Sequence, residues 1–359
     1  MRNLQETLQL SFLEALILYC LKQLNGERTI YSIYHILNGK KSAQTIQDVH
    51  LFRLTELFKA YDRLSRDQLD AIIETLISKG YIESNDDLRF FITDKGLEQL
   101  QETLLLTPIS PYLSGLKYNQ ASQMLWARLT LLVQVCSHIS NMDNTYVPIQ
   151  KGRQTQLWVK AFLSKRNKSE RGKIPYLLLK EFTRLFDGKK DLKPEILVLR
   201  LSGYKHAGLT SEQAAHQLGM EDVHYHLEFL GILHFICEMA LTNSEAYPIF
   251  YELVRESSKS NALTITSLQT YKLLKEGYSL EDIAMFRNLK LSTIEDHIVE
   301  IALNREDFSI EPFVSPEEQK KIADIAARTS SRQLRHLREL LAGVSYFKIR
   351  LVLARLGDY

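Results

Sequence analysis

The chain has 359 residues, 45% hydrophobic and 25% charged, with 8 prolines and 15 glycines, which suits two or three globular domains and excludes a wholly disordered or collagen-like chain. Its net charge of +2 hides blocks: residues 151–193 carry 13 basic and 4 acidic side chains, a net of +9, residues 320–359 are net +6, and the stretches 1–110, 194–260 and 261–319 are net −3, −5 and −6. No apolar run nears the roughly 20 residues of a membrane helix, so no membrane partner is expected.

Taken in chain order, Ser11-Phe-Leu-Glu14 has the form of a capping box, in which Ser takes an orphan amide and Glu reaches back to the Ser amide. It opens a helix with Phe12, Ala15, Leu16, Tyr19 and Cys20 on one stripe. Ser65-Arg-Asp-Gln68 opens another, with Leu69, Ile72, Ile73, Leu76 and Ile77 inward and Gly80 as its stop. Residues 81–92 form two β-prone runs around the polar turn Ser84-Asn-Asp-Asp87, a hairpin to which a short strand near Thr29–Tyr31 could add. Thr93-Asp-Lys-Gly96 starts a further helix. Helices followed by a two-stranded hairpin predict a winged helix over 1–108.

Residues 109–258 read as a central helical region. The ten residues Ser164 to Lys173 contain no apolar side chain and are expected to be a solvated loop or connector. Thr210-Ser-Glu-Gln213 caps a short helix, Gly219 turns, and a second helix follows from Glu221, a helix-turn-helix-like unit near 210–233. The polar stretch 252–260 places a boundary near 259. In 259–359, Ser279-Leu-Glu-Asp282 caps a helix carrying Ile283 and Ala284, Asn288 turns the chain, and Ser292-Thr-Ile-Glu295 caps the next, with Ile294, Ile298 and Ile301 inward. Ser315-Pro-Glu-Glu318 starts a further helix, and two basic helices end the chain. The expected fold class is mainly α, a multi-module helical protein with one small β-hairpin.

The segments Leu273-Leu-Lys-Glu-Gly277-Tyr-Ser279-Leu-Glu-Asp-Ile283-Ala284 and Leu291-Ser-Thr-Ile294-Glu-Asp-His297-Ile298 resemble the helix-turn-helix module at the C-terminus of some RecQ-type DNA helicases. Val344-Ser-Tyr-Phe-Lys-Ile-Arg350-Leu-Val-Leu-Ala354 resembles the end of that module. As a stand-alone chain the layout is similar to the YpbB family of Gram-positive bacteria, associated by gene neighbourhood with a RecQ-like helicase. The resemblance implies DNA metabolism, a helicase partner, and a helix-turn-helix carried by Ser279, Ile283, Ala284, Ser292, Thr293, Ile294 and His297.

Cations are scarce where helix-turn-helix units meet DNA. The start of the winged-helix unit's second helix has Arg66 and Gln68 beside Asp67, Asp70 and Glu74; the middle unit has Glu221 and Asp222; the C-terminal unit has Lys290, Ser292 and Thr293 beside Glu295 and Asp296. Carboxylates facing phosphate weaken binding. Cations cluster instead at Lys151, Arg153, Lys160, Lys165, Arg166, Lys168, Arg171 and Lys173, and at Arg328, Arg332, Arg335 and Arg338. The steps of four, three and three put the latter four on one face of a single helix. Any DNA binding is therefore expected to be electrostatic, mostly sequence-independent, and located in 151–173 and 328–350. Trp158, Phe162, Tyr176, Phe182 and Phe186 interleave the first patch, and the helical spacings 158/162 and 182/186 favour core packing over base stacking.

Catalytic signals are weak. Gly39-Lys-Lys-Ser42 evokes a phosphate loop, but Tyr34 stands where that motif needs glycine. His224, His226, His234 and Cys237 lack paired ligand spacing, and no serine sits in a nucleophile elbow. No metal or cofactor is implied, and the chain is expected not to be an enzyme. Glu6 and Glu14 interrupt any signal-peptide core, and Cys20, Cys136 and Cys237 lie far apart in helical patterns, as reduced thiols of a cytoplasmic, nucleoid-compatible protein do. The leading expectation is a non-enzymatic accessory of DNA repair or recombination that partners a RecQ-like helicase; the alternative is a helix-turn-helix transcription regulator reading duplex DNA.

Overall fold

Short polar side chains set many helix starts. Ser42, Ser65, Asn167, Thr210, Thr264, Ser279 and Ser315 each accept a backbone N–H from the first turn that follows, satisfying a donor the helix itself leaves open. The computed structural model describes residues 10–86, 88–143, 145–189, 191–257, 263–305, 307–329 and 334–356, leaving aside the side chains of residues 43, 85, 86 and 335.

The helices are α1 (Phe12–Leu24), α2 (Tyr31–Leu37), α3 (Ala43–Leu51), α4 (Arg66–Ser78), α5 (Asp94–Leu106), α6 (Gly115–Ser140), α7 (Arg153–Ser164), α8 (Lys168–Phe186), α9 (Glu195–Val198), α10 (Ser211–Gln217), α11 (Asp222–Thr242), α12 (Pro248–Val254), α13 (Ile265–Lys275), α14 (Leu280–Phe286), α15 (Leu291–Asn304), α16 (Pro316–Arg328), α17 (Leu334–Leu340) and α18 (Tyr346–Leu356), with a 3-10 turn at Thr55–Leu57. Among the described residues the sheet is a single antiparallel pair, β1 (Ile82–Asp86) and β2 (Arg89–Ile92), with Ile82 opposite Ile92. The expected mainly helical class with one hairpin holds.

The Ser11 box forms both ways, Ser11 N–H to Glu14 at 2.8 Å and Glu14 N–H to Ser11 Oγ at 3.2 Å. Gly80, at φ +71°, ends α4, where a left-handed residue is needed. Ile77, expected inward, is 46% exposed, because only Leu69, Ile73 and Leu76 on α4 are buried. The third strand near Thr29–Tyr31 reduces to one bond, Ile30 N–H to Leu88 O at 3.0 Å, because α2 starts at Tyr31 and turns the chain away from the ladder.

The described residues group into two compact units, one within Met1–Leu16 and Gln101–Ser260, the other within Ile17–Leu100 and Asn261–Tyr359. This grouping differs from the division at 108 and 258. In the second unit α3 packs against α15 and α18; Arg350 on α18 donates to Gln47 on α3 at 2.7 Å and also to Asp296 on α15. Its C-terminal helices enclose Ile298, Ile301, Ile322, Leu341, Ile349 and Leu351.

The first unit is built around α6 and α11. Helix α11 is apolar on every side, with Tyr225, Leu227, Phe229, Ile232, Leu233, Phe235, Ile236 and Cys237 buried, the pattern of a core helix. His234 Nδ1 accepts Ser114 N–H at 3.0 Å at the start of α6, and burial holds its pKa down at about 4.

Candidate nucleic-acid interface

The basic block of 151–173 forms a corner between two helices. The expected ten-residue loop is instead a short connection, with α7 running to Ser164 and α8 starting at Lys168. Asn167-Lys-Ser-Glu170 makes a full capping box: Glu170 N–H to Asn167 Oδ1 at 2.9 Å and Asn167 N–H to Glu170 at 2.8 Å. The missing apolar residues marked exposed first turns of a helix, not a loop.

Two of the eight cations hold this corner together. Arg166 donates to Phe162 O at 2.6 Å and to Glu252 at 3.1 Å, with its guanidinium 3.7 Å from the Phe162 ring centroid. Arg171 Nε donates to Leu163 O and Arg166 O, both at 2.8 Å, closing open carbonyls at the end of α7. The other six, Lys151, Arg153, Lys160, Lys165, Lys168 and Lys173, are all exposed and make no ion pair among the described residues. Such ammonium and guanidinium groups can neutralise phosphates without first losing an internal partner.

Of the aromatics interleaved with this patch, Trp158, Phe162, Phe182 and Phe186 pack with the core of the first unit, whereas Tyr176 on α8 is 67% exposed. Trp158 stacks on Phe162 at 5.2 Å, and Arg128 lies 4.3 Å from the Trp158 ring centroid. Arg128 is itself held by Leu253 O at 2.8 Å and by Glu256. Phe182 meets Phe250 edge-on at 4.9 Å.

The second cationic stripe does not lie along one helix. Helix α16 ends at Arg328, where Thr329 is extended (φ −98°, ψ 125°), and Arg335 and Arg338 belong to α17. Arg332 lies outside the described residues. Arg338 sits over the Tyr346 ring at 4.3 Å. Two further cations of 328–350 are spent internally: Lys348 on Glu318 at 2.8 Å, and Arg350 on Asp296 and Gln47.

The C-terminal helix-turn-helix is α13–α14–α15. Ser279 caps α14 in a full box with Asp282, and Asn288 takes the left-handed turn at φ +51°. Ile283, Ala284 and Ile294 form its small core. His297 is buried against Thr270 Oγ1 at 2.8 Å, with its pKa lowered first by burial and then by Arg287. These four residues hold the motif and do not face outward. The cap of α15 is displaced from expectation: its N-cap is Lys290, not Ser292, so Ser292 lies inside the first turn. Arg287, which the sequence reading passed over, donates to Thr266 O at 2.8 Å, Gln269 at 3.0 Å and Thr270. Exposed around the turn are Met285 (78%), Phe286 (75%) and Leu291 (40%). Burial raises the Glu295 pKa beside them.

The other two units are no richer in cations. Arg66 on α4 lies over the rings of Tyr31 and Tyr34 at 5.0 and 5.4 Å. At the start of α11, Glu221 accepts Phe12 N–H at 2.9 Å.

Among the described residues no three His, Cys, Asp or Glu side chains converge as a metal ion requires, and no helix is long and apolar enough to cross a membrane. The helix-turn-helix domain family matches residues 266–353, which are α13 to α18 almost entirely. The chain is thus a mainly helical protein that carries a C-terminal helix-turn-helix domain, a fold class associated with DNA binding. It is similar over nearly its whole length to Protein YpbB of Bacillus subtilis (strain 168), 32% identical over 351 residues, 97% of this chain and 98% of that one. The chain belongs to the YpbB family. No solved structure matches it.

Proposed function

We propose that this chain is a non-enzymatic, cytoplasmic accessory protein of DNA repair or recombination, which touches DNA through the α7–α8 corner and docks to a RecQ-like helicase. The observation that carries the DNA half is the set of six exposed cations along α7 and the start of α8, which make no ion pair among the described residues, against helix-turn-helix units whose cations are few or internally bonded. The helicase half rests on the resemblance of 273–298 and 344–354 to a helicase-appended module. Co-purification of this chain with the RecQ-like helicase of the same cell, with and without nuclease, tests it. Association that survives nuclease supports direct docking, and no association under either condition removes the helicase half.

A second reading, a regulator of duplex operators, draws on the family match and on Lys290 and Ser292, which are exposed at the start of α15. A binding-site selection from random duplexes separates the two. The accessory reading expects no enriched motif, and a clear motif reverses the order.

A further inference from the structure

The first unit carries an apolar groove that the reading above does not use. It has a volume of about 790 Å³ and lies between the C-terminal half of α6, helix α8 and α9. Val133 and Cys136 on α6, Leu178, Leu179 and Phe182 on α8, and Val198 on α9 line it. Leu179 is 64% exposed and Val198 50%, so apolar surface is left open to water on both walls. Contiguous exposed apolar surface of this kind marks a binding site more often than chance.

Length and charge both bear on the occupant. The α8 wall runs from Pro175 to Asp187, which at 1.5 Å per residue is about 18 Å, or three turns of a helix. Its positions 175, 178/179, 182/183 and 186 repeat as a helix face does. Lys168 continues that face toward the start of α8, seven residues before Pro175, and is exposed, whereas Arg171 is bonded to carbonyls at the end of α7. Asp187 lines the other end. The groove therefore has a cationic end and an anionic end, with a mostly aliphatic floor. Two rings stand on this wall, Phe182 and Phe186, parallel to each other at 6.4 Å, with Phe182 also meeting Phe250 at a right angle; the rest of the apolar lining named above is aliphatic or thiol, which suits apolar side chains better than a run of stacked bases.

We infer that this groove receives an amphipathic helix of a partner protein, about three turns long, with an apolar i, i+3/i+4, i+7 stripe and acidic residues clustered at one end. Apolar side chains fill the floor between α6 and α8, the acidic end lies toward Lys168, and the end facing Asp187 is neutral or basic. This is the helix-in-groove mode of recognition, in which the stripe gives affinity and the flanking charges set direction. It does not depend on DNA binding or on the helicase.

The test is selection on the full-length chain from a display library of random 18-residue peptides in a helix-favouring frame. Enriched peptides are then synthesised with a fluorophore and titrated by anisotropy. The expected result is enrichment of the apolar spacing with acidic residues at one end only. Leu179→Glu and Val198→Glu should each weaken binding about tenfold or more, and Lys168→Glu should weaken acidic-ended peptides but not their Gln-substituted versions. Leu179→Ser, a neutral change at an exposed position, guards against a folding defect and should weaken binding in the same direction. No enrichment, enrichment of basic peptides, or peptides indifferent to both groove substitutions overturns the inference. So does a groove variant that leaves peptide binding intact but abolishes binding of a dT20 oligonucleotide, which would make the groove a nucleic-acid site.

Discussion

Replacing Lys151, Arg153, Lys160, Lys165, Lys168 and Lys173 together by Gln removes six charges while keeping most of each aliphatic stem and a good helix former. None of the six makes an ion pair among the described residues, so folding should change little, in contrast to Arg166 and Arg171, which brace the corner. Each phosphate contact on duplex DNA adds about −0.9 to the slope of log affinity against log salt. Six contacts would give a slope of about −5. A helical corner cannot lay all six on one duplex, so half that number is the working figure, a slope change of two to three, on the order of 2.5. Between 50 and 200 mM salt the wild-type affinity should then fall by roughly a further 30-fold compared with the variant. The assay is fluorescence anisotropy on two unrelated 30-base-pair duplexes at three salt concentrations. Both duplexes should weaken alike, because phosphate contacts carry no base information. An unchanged slope, or a loss confined to one duplex, refutes the corner as the DNA surface. Thr293→Val is the matched control at the start of α15, and loss of binding there with an intact slope would favour groove reading.

Other expectations concern the scaffold. Ser279→Ala should destabilise the second unit by about 1 kcal/mol through loss of the α14 cap, whereas Ser292→Ala, no longer a cap substitution, should stay within about 0.5 kcal/mol in urea melts. Acidification should weaken the first unit through His234. Its folded pKa of about 4 lies below the ordinary value of 6.5, so the contribution is whole above pH 6.5 and is lost as pH falls toward 4, a total of about 3 kcal/mol at 1.36 kcal/mol per pH unit. His234→Gln, whose amide oxygen can still accept Ser114 N–H, should flatten that stretch of the melting-temperature profile. Glu181 accepts Ile249 N–H at 2.9 Å and Phe250 N–H at 3.0 Å while buried. Glu181→Ala leaves both donors of α12 without that acceptor, costing about 2 kcal/mol or more, and should speed hydrogen exchange at those two amides first.

Legibility followed range. The boxes at Ser11, Thr210, Ser279 and Ser315 are readable because a cap is settled within four residues, and so are the Gly80 stop of α4 and the hairpin that follows it. Three errors were also local. Ser292-Thr-Ile-Glu295 fits a capping pattern yet sits inside the first turn, since Lys290 already takes the extended cap geometry. Asn167-Lys-Ser-Glu170 has the form of a capping box although no apolar residue lies within 164–173. The arginine stripe was counted through Thr329, where the helix ends. What could not be read was which segments meet. Arg350 and Gln47 are 303 residues apart, and no local pattern marks them as partners. The groove has the same character, since α8 shows only an ordinary amphipathic face until α6 and α9 are placed beside it.

The C-terminal module illustrates how a fold and its surface can point to different uses. Its backbone supplies what a groove reader needs: a short helix, a left-handed Asn288, and a second helix anchored by Ile294 and Ile298. The two guanidiniums best placed to support such a helix are engaged inside the unit, Arg287 on α13 and Arg350 on Asp296 and Gln47. A bond of this kind must be broken before the group can serve a phosphate, which removes most of the gain of a surface contact. The exposed side chains around the turn then include Glu281, Asp282, Asn288, Lys290, Ser292 and the apolar trio Met285, Phe286 and Leu291. Phosphate gains nothing from a methionine and a phenylalanine, whereas a protein partner that buries them gains roughly 25 cal/mol per Å² of apolar surface. On the function proposed above, that balance favours DNA contact at the α7–α8 corner and partner docking at the helix-turn-helix. Met285→Ser with Phe286→Ser should accordingly weaken helicase co-purification while leaving the salt slope on DNA unchanged; the opposite pattern would exchange the two roles.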